Sequence, residues 1–161
     1  MSPGRSDSVD IVYLADQVHH AAELARLHDG EWGHLHPQIP VGERARLLRE
    51  AAGRSAIPSV RIAVDGPRLV GSAALVAQDM DDRPHLTPWL AAVYVRPEDR
   101  RRGLASRLLN QIDQDAVALG VERYYLFTEH EEAFYARRGW QLLEHTDYHG
   151  TRVAVMAKDL V

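Results

Sequence analysis

The sequence predicts an α/β domain in which a mixed, mostly antiparallel sheet carries helices on both faces. Three observations support this fold class. Runs of β-branched and aromatic residues alternate with stretches of helical periodicity along the chain. The turn signal Asp65-Gly66-Pro67 lies between two apolar runs and joins them as a hairpin. Residues 89–128 have the pattern strand, helix, strand, which requires one parallel pair in the sheet.

The length of 161 residues favours a single domain. We expect residues 1–8, which are small and polar with a proline and a glycine, to be disordered, and residues 9–161 to form the domain. Its first half should contain a strand at 9–14, a helix that Asp16 caps and that runs to about Leu27, a loop at 30–40, a helix at 43–52, and hairpin strands at 60–64 and 69–77.

The second half begins with an acidic loop at 79–88. The strand at 89–95 is nearly all apolar, which is typical of a strand buried on both faces. Apolar residues recur on one face of a helix at 103–119, and Gly120 is a natural end for it. The remaining elements are a strand at 123–128, a short helix at 131–138, and strands at 140–143 and 152–158 that should be antiparallel.

Charge and composition exclude several classes of protein. With 19 basic and 23 acidic residues, the net charge of -4 gives no reason to expect nucleic acid or a membrane as partner. The absence of cysteine excludes disulfides and thiol nucleophiles and fits the cytoplasm. The polar start lacks the apolar core of a signal peptide. Among nine histidines, His34 and His36 form one close pair and His19 and His20 are adjacent, but zinc needs three or four converging ligands, so no metal site is expected.

The turn between the apolar strand and the long helix has the features of an anion site. A helix start presents unpaired N–H groups and a positive dipole end, and Gly103 and Ala105 would let a phosphate approach the backbone. Arg100, Arg101 and Arg102 sit at this positive end, which is unfavourable for cations unless an anion docks there. The alternative is a solvated basic turn.

Two motifs resemble those of one family. Arg100-x-x-Gly103-x-Ala105, after the strand Val93-Tyr94-Val95, resembles the coenzyme A loop of GNAT acetyltransferases. Phe134-Tyr135, followed by Gly139-Trp140, resembles the segment after the fifth strand of the same family. The resemblance covers roughly residues 9–160 and implies the GNAT fold, acetyl-CoA as cosubstrate, and direct transfer of an acetyl group to a primary amine.

The resemblance also implies roles for individual residues. Backbone groups of the strand would pair with the pantetheine arm, and the loop would hold the pyrophosphate. Tyr135 would be the general acid that protonates the thiolate of coenzyme A, and Phe134 would pack beside the cofactor. The cofactor-binding set is Val93, Tyr94, Val95, Arg100, Arg101, Arg102, Gly103, Leu104, Ala105, Ser106, Thr128 and Phe134.

The acceptor side is less defined, because the strand at 89–95 holds no acid or histidine that could serve as a general base. Candidates for the base are Glu31, His34, Asp82 and His85. The irregular segments 28–42, 79–89 and 144–151 should form the acceptor site. The predicted contacts are Glu31, Trp32, Asp82, His85 and Trp89. The aspartates at 79, 81 and 82 either attract a cationic amine or form a solvated loop.

Two other functions remain open at this point. A non-catalytic acyl-CoA sensor on the same fold would need the site at 93–106 but not Tyr135. An unrelated α/β nucleotide-binding domain is disfavoured, because the chain lacks G-x-G-x-x-G and G-x-x-x-x-G-K-[ST]. By analogy with the family, the protein could form a homodimer.

Overall fold

The computed structural model describes residues 8–37 and 39–161, in which seven strands form one sheet in the order β1-β2-β3-β4-β5-β7-β6. The strands are β1 (Val9–Tyr13), β2 (Ser59–Asp65), β3 (Arg68–Val76), β4 (Trp89–Val95), β5 (Arg123–Thr128), β6 (Gln141–Tyr148) and β7 (Thr151–Asp159). The α-helices are α1 (Ala21–Trp32), α2 (Val41–Glu50), α3 (Leu104–Ala118) and α4 (Glu132–Ala136). Residues 1–7 of the segment expected to be disordered lie outside the described residues.

All neighbouring strands are antiparallel except β4 and β5. The parallel contact between these two is confined to Trp89 opposite Tyr125, where the Tyr125 N–H also donates to the Pro88 carbonyl at 3.1 Å. No further residues of β4 and β5 pair beyond this point, so the two strands separate toward their C-terminal ends. The predicted mixed, mostly antiparallel sheet is confirmed, and its parallel pair is a short one.

Helices cover both faces of the sheet, as predicted. On one face Leu104, Leu108 and Ile112 of α3 pack with Ala63. On the other, Leu24 of α1 packs with alternate residues of β2, namely Val60, Ile62 and Val64. This alternation follows from the period of two in a strand, and it divides the core into two layers. Among the described residues, no helix is long and apolar enough to span a membrane.

Several element boundaries differ from those predicted. The first helix begins as a 3-10 segment at Leu14–His20, and α1 continues through Gly30 to Trp32, so the expected loop at 30–40 is shorter. Glycine costs about 1 kcal/mol inside a helix, which the packing of this helix on the sheet outweighs. The predicted strand at 140–143 extends to Tyr148 because it pairs along its whole length with β7.

The bounds of β4 and β5 agree with the prediction, but β4 is not buried throughout. Its ends are buried, whereas Ala91, Ala92 and Val93 are half-buried. These three residues line the cavity that opens where β4 and β5 separate.

Candidate active site

A cavity of about 1230 Å³ lies between the separated ends of β4 and β5. It is lined by α1, the loop after β3, β4, the start of α3, the end of β5 and α4. Its size exceeds that of most small-molecule sites and suits a large ligand together with a second, smaller one. Most of the predicted cofactor-binding residues line it: Val93, Tyr94, Val95, Arg100, Arg101, Gly103, Leu104, Ala105, Ser106, Thr128 and Phe134.

A bulge interrupts β4 at the centre of this cavity. Ser72 pairs with Tyr94 and Ala74 with Ala91, so that Ala92 and Val93 together face Ala73 of β3. Ala92 has φ +54°, a backbone conformation that residues with a side chain rarely adopt. Such a bulge bends the strand and turns peptide groups out of the ladder and toward the cavity.

A buried chain of hydrogen bonds holds the bulge. The Ser72 hydroxyl donates to the Ala92 carbonyl at 2.7 Å, and His28 Nε2 lies 2.9 Å from Ser72 Oγ. Since the single hydroxyl proton of Ser72 goes to Ala92, His28 must donate its Nε2 proton to Ser72. Burial, with a smaller contribution from Arg44, lowers the pKa of His28 to about 3, so the ring is neutral at neutral pH.

The turn before α3 has the geometry of an anion site. Gly103 has φ +74°, and a side chain there would meet no atom within 4 Å, so its surface is open. The N–H groups that follow it belong to the first turn of α3 and have no partners within the helix. Arg100 donates from Nε to the Val95 carbonyl at 3.0 Å, and both Arg100 and Arg101 are exposed and line the cavity.

Arg102 is placed differently from its two neighbours and does not line the cavity. Its guanidinium donates to Asp99 at 2.7 Å and lies 3.5 Å from Asp65. Asp99 is only 3% exposed, and hydrogen bonds from Arg68, followed by those from Arg102, hold its pKa below the usual range. The side chain of Arg102 therefore stabilises the turn from behind, and the expected contact of this residue with the cofactor stays a prediction for its backbone.

Arg138 connects the two motifs that carry the family resemblance. It donates to Ser106 Oγ at 2.6 Å and to the Phe134 carbonyl at 3.2 Å, and its guanidinium carbon lies 3.8 Å from the centre of the Phe134 ring. It also lines the cavity. Sequence reasoning missed this residue because its partner Ser106 is 32 positions away.

Tyr135 lines the cavity and is 8% exposed. Its ring packs edge-on against Phe134 and Trp140, with centroid distances of 5.2 and 6.2 Å. Burial, followed by the charge of Glu131, raises the pKa of the phenol above its usual value. The hydroxyl is therefore protonated at neutral pH and can donate a proton into the cavity.

Only two of the five predicted acceptor contacts, Glu31 and Trp32, line the cavity. Trp89 is fully buried, donates from its indole N–H to the Leu86 carbonyl at 2.6 Å, and belongs to the core. Asp82 and His85 are exposed and outside the cavity, with Asp82 3.2 Å from Arg83. The structure thus places Asp82, His85 and Trp89 outside the cavity that the acceptor would enter.

In the loop after β3, Asp79 and its neighbour Asp81 line the cavity. Asp79 is half-buried, and burial raises the pKa of its carboxyl to about 7. No charged partner contributes to this pKa among the described residues. The sequence offered Asp79 as one of three aspartates that attract a cationic amine or form a solvated loop, but not as a candidate base.

Five carboxylates line the cavity. They come from α1, the loop after β3 and the loop after β5: Glu31, Asp79, Asp81, Glu129 and Glu131. Arg44 also lines the cavity and lies 3.4 Å from Asp29. His34 also lines the cavity and lies 2.9 Å from Glu129. Among residues 8–37 and 39–161, no group of three or more histidine, aspartate or glutamate side chains is arranged to hold a metal ion.

Comparison with known proteins gives a consistent result. A family model described as acetyltransferase (GNAT) family matches residues 21–140. No curated protein sequence matches the chain significantly. An aminoglycoside 6'-N-acetyltransferase solved with coenzyme A has a TM-score of 0.74 at 17% identity, covering 94% of this chain and 97% of that one.

Two further solved structures are similar. A Salmonella typhimurium protein, yncA, described as an acetyltransferase and solved with acetyl-CoA, has a TM-score of 0.72 at 18% identity, over 95% of this chain and 94% of that one. An aminoglycoside 6'-acetyltransferase of type Ii has a TM-score of 0.70 at 20% identity, over 94% and 97% of the two chains. At these identities the likeness shows the fold.

Proposed function

The chain belongs to the acetyltransferase (GNAT) family, and we propose that it transfers the acetyl group of acetyl-CoA directly to a primary amine. The observation that carries this proposal is the cavity between β4 and β5, which joins the phosphate-binding turn before α3 to the phenol of Tyr135. An acetyl donor and an amine can both be held there at once, as direct transfer requires.

The residues present fit coenzyme A. Backbone groups of β4 from Val93 to Val95 can pair with the amides of the pantetheine arm, because β5 leaves them without a neighbouring strand. The N–H groups at the start of α3 suit the pyrophosphate. Arg100 and Arg101 can add charge-assisted hydrogen bonds to phosphate oxygens. Acetyl-CoA supplies the activated acyl group, and the protein positions it.

Two side chains divide the proton transfers in this proposal. Tyr135 keeps its proton at neutral pH and donates it to the leaving thiolate. Asp79, with a carboxyl pKa of about 7, is partly ionised near neutrality and accepts a proton from the attacking amine, directly or through water. Of the bases expected from the sequence, Glu31 and His34 also line the cavity and are the alternatives to Asp79.

The acceptor we propose is a cationic molecule with at least one primary amine. The carboxylates that line the cavity would attract such a molecule, whereas the arginines before α3 would attract the phosphates of the donor. The cytoplasm as compartment and a homodimer as assembly stay predictions from the sequence.

The first test is a calorimetric titration of the purified protein with acetyl-CoA. One-to-one binding, lost in Gly103→Glu because the new carboxylate repels the pyrophosphate, would support the proposal. Gly120→Glu is the matched control, since Gly120 also has a positive φ and open surroundings but lies at the far end of α3, outside the cavity. Failure to bind acetyl-CoA would contradict the proposed function.

A non-catalytic acyl-CoA-binding module is the alternative. It would bind acetyl-CoA equally well but transfer nothing to any of a panel of cationic amines. Tyr135 in the cavity wall favours the enzyme, because a binding module has no need of a protonated phenol at that place.

A further inference from the structure

The peptide group between Ala92 and Val93 is oriented by its neighbours on β3. Its carbonyl accepts the hydrogen bond from Ser72, which lies in the adjacent strand. In a trans peptide the C=O and N–H bonds point in opposite directions. The N–H of Val93 therefore points away from the Ser72 hydroxyl. Val93 also lines the cavity, on the stretch of β4 from which β5 has separated.

We propose that Ser72 and His28 are positioning residues that aim the Val93 N–H at the carbonyl oxygen of the bound acetyl group. This inference rests on the proposed function. A preorganised N–H at that oxygen stabilises the negative charge that develops during acyl transfer. The donor is a backbone group, so its precision depends on what holds the peptide plane in place.

Both residues are needed for this orientation. A serine hydroxyl rotates freely, and its single proton could point in several directions. His28 removes this freedom, because its Nε2–H occupies a lone pair of Ser72 and leaves the hydroxyl proton to point at Ala92. The His28 ring is itself held by Trp32 and Tyr94, at centroid distances of 5.2 and 6.3 Å.

The backbone conformation at the bulge needs such a network to hold it. Ala92 adopts φ +54°, which persists in a protein only where the surroundings impose it. Ser72 is fully buried and provides one such constraint directly at the carbonyl of Ala92. The neutral state of His28, whose pKa burial lowers to about 3, keeps the ring a single-donor group over the working pH range.

The test uses acetyl-CoA labelled with a heavy isotope at the carbonyl carbon, with infrared difference spectra of the bound molecule. In the wild type, the carbonyl stretch should shift to lower wavenumber than in solution, because the N–H donor polarises the bond. Ser72→Ala should lose much of this shift while the Kd for acetyl-CoA stays within about twofold. Ser59→Ala is the matched control, a buried serine of β2 that does not line the cavity.

His28 is tested in the same way. His28→Phe keeps the ring but removes the donor, and should lose the shift, whereas His28→Gln retains a donor and should restore part of it. His20→Phe is the control, since His20 is buried but lies outside the cavity. With an active acceptor, kcat should fall about tenfold to a hundredfold in Ser72→Ala and His28→Phe, with KM for acetyl-CoA nearly unchanged.

The outcomes separate the two proposals. If the wild type does not bind acetyl-CoA, the proposed function fails. If it binds with a shifted carbonyl stretch that Ser72→Ala and His28→Phe leave intact, the positioning inference alone is overturned. It is likewise overturned if both variants lose acetyl-CoA binding and thermal stability in proportion, since that result marks a purely structural role.

Discussion

At the scale of single residues, the burial of Asp79 raises the pKa of its carboxyl into the range that suits a general base. Its carboxyl lines the cavity, and burial raises its pKa to about 7. We expect kcat/KM of the wild type to rise with pH through an apparent pKa near 7, as Asp79 ionises. Asp79→Asn should lower kcat/KM about a hundredfold and remove this rise, because an amide cannot accept the proton.

The measurement is the pH dependence of kcat/KM with saturating acetyl-CoA, between about pH 5.5 and 8.5. Asp82→Asn is the matched control from the same loop, because Asp82 is exposed and outside the cavity. An Asp79→Asn profile with the same midpoint as the wild type would assign the ionisation to another group.

Tyr135 supports a second prediction at this scale. Tyr135→Phe removes one hydroxyl and keeps the ring that packs against Phe134 and Trp140. We expect kcat to fall about a hundredfold, because the thiolate then leaves without a proton donor, while calorimetry shows unchanged affinity for acetyl-CoA. Tyr124→Phe is the control, because Tyr124 is also buried but lies outside the cavity. Equal turnover in the wild type and Tyr135→Phe would argue against Tyr135 as the acid.

The residues that sequence reasoning could place are those whose chemistry is local. Tyr135 and Gly103 lie in short motifs, and both line the cavity. The contact between His28 and Ser72 joins positions 44 residues apart, and nothing in either segment alone indicates it. Asp82 and His85 were expected as candidate bases but lie outside the cavity, whereas Asp79 lines it, because a loop pattern does not show which of its side chains turn inward.

At the scale of elements, the turn before α3 gives adjacent arginines different tasks. Arg101 is exposed at the cavity, whereas Arg102 donates to the buried Asp99. Arg101→Ala should raise the Kd for coenzyme A about tenfold and leave the Tm unchanged, because it removes only a charge-assisted contact with phosphate. Arg102→Ala should destabilise the fold by about 1–3 kcal/mol, since Asp99 loses one of its partners.

Titration calorimetry and thermal unfolding of both variants check this assignment. Arg68→Ala is the control for stability, because Arg68 also donates to Asp99, at 2.7 and 3.0 Å, but does not line the cavity. If Arg101→Ala lowered the Tm while Arg102→Ala weakened binding more strongly, the division of labour described for the turn would be wrong.

The elements also show where sequence patterns are sufficient. The bounds of β4 and β5 agree with the prediction, because both strands have local signals. For β4 the signal is an apolar run between Pro88 and Pro97, and for β5 it is a β-branched and aromatic run. The bulge at Ala92 has no such signal, since alanine is an unusual residue for a positive φ. The length of α1 was underestimated because tertiary packing outweighs the local cost of Gly30.

At the scale of the whole molecule, two buried groups make the stability depend on pH in opposite directions. His28 has a folded-state pKa of about 3, below its ordinary value of 6.5. Its contribution is present above about pH 6.5 and is lost as the pH falls toward 3, because the unfolded chain then binds a proton that the folded chain excludes. His20 and His36 have pKa values lowered by burial and act in the same sense.

Asp79 acts in the opposite sense, because its folded-state pKa of about 7 lies above the ordinary 3.8. Its neutral form favours the folded state below about pH 4, and this contribution is lost as the pH rises through 7. Between about pH 4 and 6.5 the two contributions therefore oppose each other, and the wild type should show a flatter stability profile than either group alone would give.

Single variants separate these contributions by their slopes. His28→Phe loses the hydrogen bond to Ser72, which lowers stability by an amount that does not depend on pH. It also removes the titration of His28. Between pH 6 and 4, the free energy of unfolding of the wild type should therefore fall more steeply than that of His28→Phe, by up to about 1.4 kcal/mol per pH unit. Asp79→Asn should show the reverse, with a steeper loss on acidification than the wild type. Denaturant unfolding at several pH values measures both slopes. A constant offset between the wild type and His28→Phe at every pH would mean that His28 titrates alike in the folded and unfolded chains, and would contradict a pKa lowered by burial.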